Sequence, residues 1–180
     1  MRVQPRDILN FWFAHEGFWF QKNDRFDEDI TRHFRETHEA ARCGQLQQWM
    51  ETAEGALALV ITLDQFPRNM FRNDARAWAD DEQALAVARA AIAAHRDVEL
   101  PERARRWLYM PFMHAEELSA QEEGLHYLAT RLHDPEVIRF AGLHADVIRR
   151  FGRFPHRNEV LGRRSTPDEQ AFLDEGGFAG

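Results

Sequence analysis

The segment Leu57-Ala58-Leu59-Val60-Ile61-Thr62-Leu63 restricts what this chain can fold into more than any other. It is apolar on nearly every helical face, and a helix of that kind belongs in the middle of others. With 180 residues and 44% hydrophobic content, the chain can wrap such a helix in one well-buried core. The segment then runs into Asp64-Gln65-Phe66-Pro67-Arg68-Asn69-Met70-Phe71-Arg72. Pro67 restricts Phe66 and is expected to stop the helix there.

Asp64 falls on the buried stripe of this helix, one turn beyond Val60 and Ile61 and two beyond Leu57. It also sits in the last turn, where the helix dipole disfavours a carboxylate. A buried anion there must be paired or give up its charge. Arg68 and Arg72 are the nearest partners in sequence. A second Phe-Pro turn, Arg153-Phe154-Pro155-His156-Arg157-Asn158, offers Arg153 and Arg157 if the two turns share a site.

The rest of the chain is written in helix starts and stops. Pro5 suits the first position of a helix through Ile8, Leu9, Phe11, Trp12 and Phe13, and Gly17 ends it. The aromatic run Phe11 to Phe20 is expected to pack in the core. Asn23 or Asp24 caps a second helix that Gly44 closes, and Thr52 opens the third. Asp80 and Gln83 form a capping-box pattern before Ala84 to Ala94. Glu102 to Met110 precedes a break at Pro111, and a further helix covers Glu116 to Leu132. Asp134-Pro135 starts a helix with Val137, Ala141, His144, Ile148 and Phe151 on one stripe. Thr166-Pro167-Asp168-Glu169 starts the last, and the tail 175–180, with Gly176-Gly177, is expected to fray. No strand pattern is evident. The expectation is one all-α domain over residues 1–180, of seven or eight helices.

A formal net charge of -7 argues against nucleic-acid binding, which needs a concentrated basic surface. The single cysteine, Cys43, cannot form an internal disulfide and suits a reduced compartment. The start lacks the apolar core of a signal peptide, and no run approaches the roughly 18 apolar residues of a membrane helix. A cytoplasmic location is the expectation. Ser119 and Ser165 lack a nucleophile-elbow context, and no glycine-rich phosphate loop is present.

Two groupings carry the candidate chemistry. The first is Asp64, Arg68, Asn69, Arg72, Arg153, Arg157 and Asn158. These residues can satisfy one another and tie off proline-broken helix ends. Alternatively, their donors exceed their acceptors and hold an anionic ligand, because guanidinium groups match carboxylate and phosphate geometry. The second is His114 with Glu116, Glu117 and His144. Helical spacing would place His114 and Glu117 on one face as an acid/base pair. These are ordinary metal-ligand types, but no spaced motif supports a metal and none is assigned, nor any cofactor. His33, His38, His95, His126 and His133 read as surface-placed or incidental.

The motifs Leu9-x-Phe11-Trp12-Phe13, Leu63-Asp64-Gln65-Phe66-Pro67-Arg68-Asn69, Tyr109-Met110-Pro111-Phe112-x-His114-x-Glu116 and Phe151-Gly152-Arg153-Phe154-Pro155-His156-Arg157-Asn158-x-x-Leu161-Gly162-Arg163 together resemble a bacterial family, domain of unknown function 924. The resemblance spans about residues 6 to 174. It implies a helical fold similar to the tetratricopeptide-like superfamily, with antiparallel pairs in a right-handed array. Ala115 stands where the family's motif has a serine, which removes that side chain from any mechanism here.

The leading expectation is a binding module whose concave Arg/Asn-rich site takes a small anion or a peptide's acid group. The rival is a hydrolase-type enzyme using His114 with Glu116 or Glu117, metal-assisted in one version. A third reading is a structural or oligomerisation module using the Phe11–Phe20 aromatics. Ligand identity and oligomeric state are not specified by the sequence.

Overall fold

Asn23, Thr52, Asp134 and Thr166 open helices as side-chain caps where the sequence places them. The computed structural model describes residues 3–177. Helix α1 covers Pro5–Ala14, with Pro5 at its first position. Asn23 accepts the Phe26 N–H at 3.0 Å and starts α2, Asp24–Arg42. Thr52 accepts from Gly55 and starts α3, Ala53–Val60. Then come α4 Phe66–Met70, α5 Asp81–Ala93, α6 Arg96–Glu99, α7 Glu102–His114, α8 Leu118–Arg131, α9 Pro135–Phe151 and α10 Pro167–Asp174. Eight of these ten have eight residues or more, and the described residues contain no strand. The fold is all-α. No helix among the described residues is long and apolar enough to cross a membrane.

Neither internal proline stops its helix as expected. Between α3 and α4 the residues Ile61–Gln65 form a π-turn, in which the Phe66 N–H reaches back to the Ile61 carbonyl. The wider turn accepts Pro67 because a proline ring clashes with the carbonyl four residues earlier only in a regular α-helix. The chain therefore stays helical from 53 to 70. Likewise α7 carries Pro111 inside it and ends only at His114.

One capping expectation gives way to longer-range partners. Asp80 makes no capping bond to α5. Its carboxylate instead accepts from His38 Nε2 at 2.8 Å and Arg42 Nε at 2.9 Å. His38 is accordingly buried rather than surface-placed. At the C-terminal end, the N–H groups of Gly176 and Gly177 close α10 by bonding Leu173 O at 3.1 Å and Phe172 O at 2.8 Å. The remainder of the expected frayed tail, 178–180, lies outside the described residues.

The chain divides into two compact units. The first is built from the residues up to Arg72 together with Arg76–Pro111, and the second from Asn73–Ala75 and the residues from Phe112 on. In the first unit, α3 is the buried helix that the sequence demands: Leu57, Ala58 and Val60 are inaccessible to solvent. An aromatic cluster packs in the same unit. Trp12 meets Trp107 edge-on at 5.0 Å and Phe66 at 6.0 Å, while Phe66 stacks on Phe34 at 5.0 Å. Burying each such large side chain contributes about 2 kcal/mol. The aromatic run divides: Trp12 is core, whereas Phe20 is 75% exposed although it stacks on Trp107.

In the second unit, α8 and α9 pack together across a three-residue connection, 132–134, which makes them antiparallel neighbours. Ala141, His144 and Ile148 form the buried stripe of α9. Val147, Ile148 and Phe154 form a core that Leu118, Phe151 and Phe172 cover. Gly152, at φ 70°, ends α9 in the left-handed conformation and sends the chain into the Phe154-Pro155 turn.

Candidate functional site

In the first unit the π-turn aims Asp64 into the core, where the residue is fully buried. Gln65 Nε2 donates to Asp64 Oδ2 at 2.5 Å, and Arg68 Nη1 stands 3.3 Å from Oδ1. Arg68 also donates to Asp81 through both terminal nitrogens, at 2.8 and 2.9 Å. Burial works against the Arg68 charge, and Asp81 and Asp64 more than offset it. Asn69 Nδ2 donates to Asp27 Oδ1 at 2.8 Å, and Arg72 grips the same carboxylate through Nε and Nη2. Arg68, Asn69 and Arg72 thus meet three carboxylates, Asp64, Asp81 and Asp27, whose charge the two arginines offset. Asp27 and Asp81 lie 45 and 13 residues from their arginines, so sequence proximity did not reveal them.

The second unit holds a longer chain of ion pairs. Arg153 clamps Glu169 at 2.7 and 2.8 Å. Glu169 also accepts the Thr166 N–H at 2.7 Å and Asn158 Nδ2 at 3.3 Å. With Arg153 as the leading cause, and those donors adding to it against burial, its carboxyl is lowered to about 2. Asn158 Oδ1 accepts from Arg163 Nε at 3.0 Å, and Arg163 forks onto Glu116 at 2.5 and 2.9 Å. Glu116 Oε1 takes the Phe154 N–H as well, at 2.7 Å. Burial alone would raise the Glu116 carboxyl, but Arg163, the Phe154 N–H and Arg157 hold it below the usual carboxylate range. Glu116 is a carboxylate held at the Phe-Pro turn by the Arg163 fork and the Phe154 N–H.

The other glutamate does not pair with His114 through helical spacing. Because α7 ends at His114, Glu117 is the extended residue before α8, exposed and bonded to Ser119. Gln121 Nε2 fastens this corner by donating to Met113 O at 2.7 Å and Ala115 O at 2.8 Å.

Beside these pairs the second unit gathers basic groups around one buried ring, Phe154. Arg157, only 6% exposed, lies over the ring face at 4.5 Å and donates Nη2 to the His114 carbonyl at 3.1 Å. The His144 ring meets Phe154 edge-on at 5.8 Å, and His156 lies 5.6 Å from it. His114 and His144 stand 6.3 Å apart. His144 Nδ1 is 2.8 Å from the Phe140 carbonyl. A carbonyl only accepts, so Nδ1 carries the proton and Nε2 the basic lone pair. Burial, followed by the charges of His114, Arg157 and His156, lowers His144 to about 4. It is a neutral base at pH 7. Among the described residues no three His, Cys, Asp or Glu side chains are grouped to hold a metal ion.

Sequence reasoning missed Arg163, His156 and Glu169 as members of these clusters. All three lie in stretches singled out by motif, and only the partner across the turn was hidden.

The solved structure of a protein of unknown function from Agrobacterium tumefaciens is similar to this chain at 40% identity. The match covers 96% of this chain and 97% of that one, with a TM-score of 0.91. No curated protein matches the chain. The family model described as bacterial protein of unknown function (DUF924) matches residues 8–177, and the chain belongs to that family.

Proposed function

We propose that the protein binds a small anion, a carboxylate or phosphate group, at the basic cluster of its second unit. Arg157 supplies the guanidinium, His114 and His156 flank it, and neutral His144, its Nδ1–H held by the Phe140 carbonyl, presents Nε2 as an acceptor for the hydroxyl of an anion such as hydrogen phosphate. The observation that carries this reading is the convergence of Arg157, His144 and His156 on Phe154, with His114 6.3 Å from His144, while Glu116, the neighbouring carboxylate, is engaged by Arg163. In a site of low polarity such donors hold an anion more strongly than in water. Arg153 and Asn158 serve it indirectly, since their shared partner Glu169 fixes the turn. A single cysteine and the lack of a membrane-crossing helix among the described residues suit a cytoplasmic protein.

Calorimetric titration with inorganic phosphate and with succinate tests the proposal. Saturable binding of either by the native protein, lost at least tenfold in Arg157→Gln with helicity retained, is the expected result. If neither anion binds, or Arg157→Gln binds as tightly, the site is structural.

A second reading is a hydrolase in which His144 acts as general base. The fixed Nδ1–H to Phe140 contact favours it, because it presents Nε2 in one tautomer. Turnover of phosphate or carboxylic esters that His114→Ala leaves intact and His144→Ala abolishes would place the base on His144.

A further inference from the structure

Arg157 and His144 bring opposite hydrogen-bonding characters to the basic cluster of the second unit. Arg157 has only N–H donors, and it lies over the buried Phe154 ring. His144 is 8% exposed and meets the same ring edge-on. The Phe140 carbonyl, 2.8 Å from Nδ1, fixes the proton of the neutral imidazole on that atom. Nε2 is then an acceptor. An anion in this cluster has to satisfy a donor and an acceptor together.

The surroundings keep His144 in that state. His114 at the end of α7 stands 6.3 Å from it, and His156 and Arg157 lie on the Phe-Pro turn. The residues that α8 buries, Ala120, Gln121, Gly124 and Leu128, carry no titratable group. The carboxylate at the turn, Glu116, is held by Arg163. Burial, then the charges of His114, Arg157 and His156, act against a second proton on the ring. A bound anion would offset those charges, so anion and proton favour one another's binding.

Anions differ in what they offer an acceptor. Hydrogen phosphate carries a hydroxyl that donates; sulfate at neutral pH carries none and would set its lone pairs against that of Nε2. A buried site that pairs with a hydroxyl rejects an analogue lacking it, because its own polar group is left unsatisfied. We propose that His144 makes this site select hydrogen phosphate over sulfate: phosphate brings the bridging proton with it, whereas sulfate binds only as Nε2 takes a proton from solvent. This selectivity rests on the anion binding proposed above.

Calorimetric titration of the full chain with sodium phosphate and with sodium sulfate, at pH 8 and at pH 5.5, tests it. At pH 8 phosphate is expected to bind tighter than sulfate by about tenfold or more. Sulfate should bind about fivefold tighter at pH 5.5 than at pH 8. Repeating the sulfate titration in two buffers of different ionisation enthalpy should reveal proton uptake. His144→Gln, whose amide donates without taking up a proton, should bring the two anions within about threefold of each other at pH 8, with helicity retained. Equal native affinities at pH 8, sulfate binding without proton uptake, or an unchanged phosphate preference in His144→Gln would each overturn the proposal and leave the anion site standing. If neither anion binds at either pH, the anion site itself falls, and the selectivity with it.

Discussion

Arg163 grips both oxygens of Glu116 across 47 residues of sequence, Nη1 to Oε2 at 2.5 Å and Nη2 to Oε1 at 2.9 Å. A planar fork on a carboxylate is the strongest common form of ion pair, and both side chains here are about three-quarters buried. Removing one partner leaves a buried charge uncompensated. Glu116→Ala and Arg163→Ala should each lower stability by about 2–3 kcal/mol, and the double variant by less than their sum. Urea titration of the four proteins measures the coupling, and additive losses would mean that the pair contributes nothing.

Gly124 and Gly142 should respond oppositely to alanine. Both lie inside helices, where alanine is normally favoured by about 1 kcal/mol. A Cβ on Gly142 meets nothing within 4 Å, so Gly142→Ala should stabilise by about that amount. At Gly124 the same atom would stand 2.5 Å from Phe112 Cβ, and the clash should cost about 2 kcal/mol or more. Thermal melts of the two variants decide this by the sign of each shift.

The acidity of His144 predicts a pH-dependent loss of stability. Its folded value is about 4 against 6.5 for an ordinary histidine, so the unfolded chain binds this proton more readily. Stability from this group is complete above pH 6.5 and falls as pH drops towards 4, by about 3 kcal/mol in all. The stability gap between the native protein and His144→Gln should shrink over that window. A gap constant from pH 7 to 4 would show that His144 titrates normally.

Glu169 loses stability in the same direction of pH over a lower window, although here it is the charged form that the fold holds. Its carboxyl is lowered from 4.5 to about 2, so the pairing with Arg153 is fully present above pH 4.5 and is lost as pH falls through 2. Glu169→Gln should melt roughly 3–6 °C lower at neutral pH. The difference should close near pH 2, as followed by circular dichroism.

Local chemistry made most of the fold readable, and distance hid the rest. Asn23, Thr52, Asp134 and Thr166 cap as their spacing says because each bonds an N–H within three residues. Asp80 has the same local pattern, yet His38 and Arg42, 42 and 38 residues away, outcompete the helix end. Pro67 and Pro111 carry the strongest stop signal, but a π-turn and the surrounding burial override it. At the candidate site, Asp64's need for Arg68 followed from burial on a helix stripe. That Arg72 would choose Asp27, and Arg163 Glu116, depended on the tertiary fold.

The π-turn at Ile61–Gln65 has the form of a single residue inserted into an α-helix. Without it, every side chain downstream would rotate by about 100°. Arg68 would swing away from Asp81, and Asn69 and Arg72 from Asp27, while the apolar half of the helix stayed where it is. A one-residue deletion there is thus a change of reading phase: it would preserve the composition of the buried helix and scramble the polar addresses that follow it.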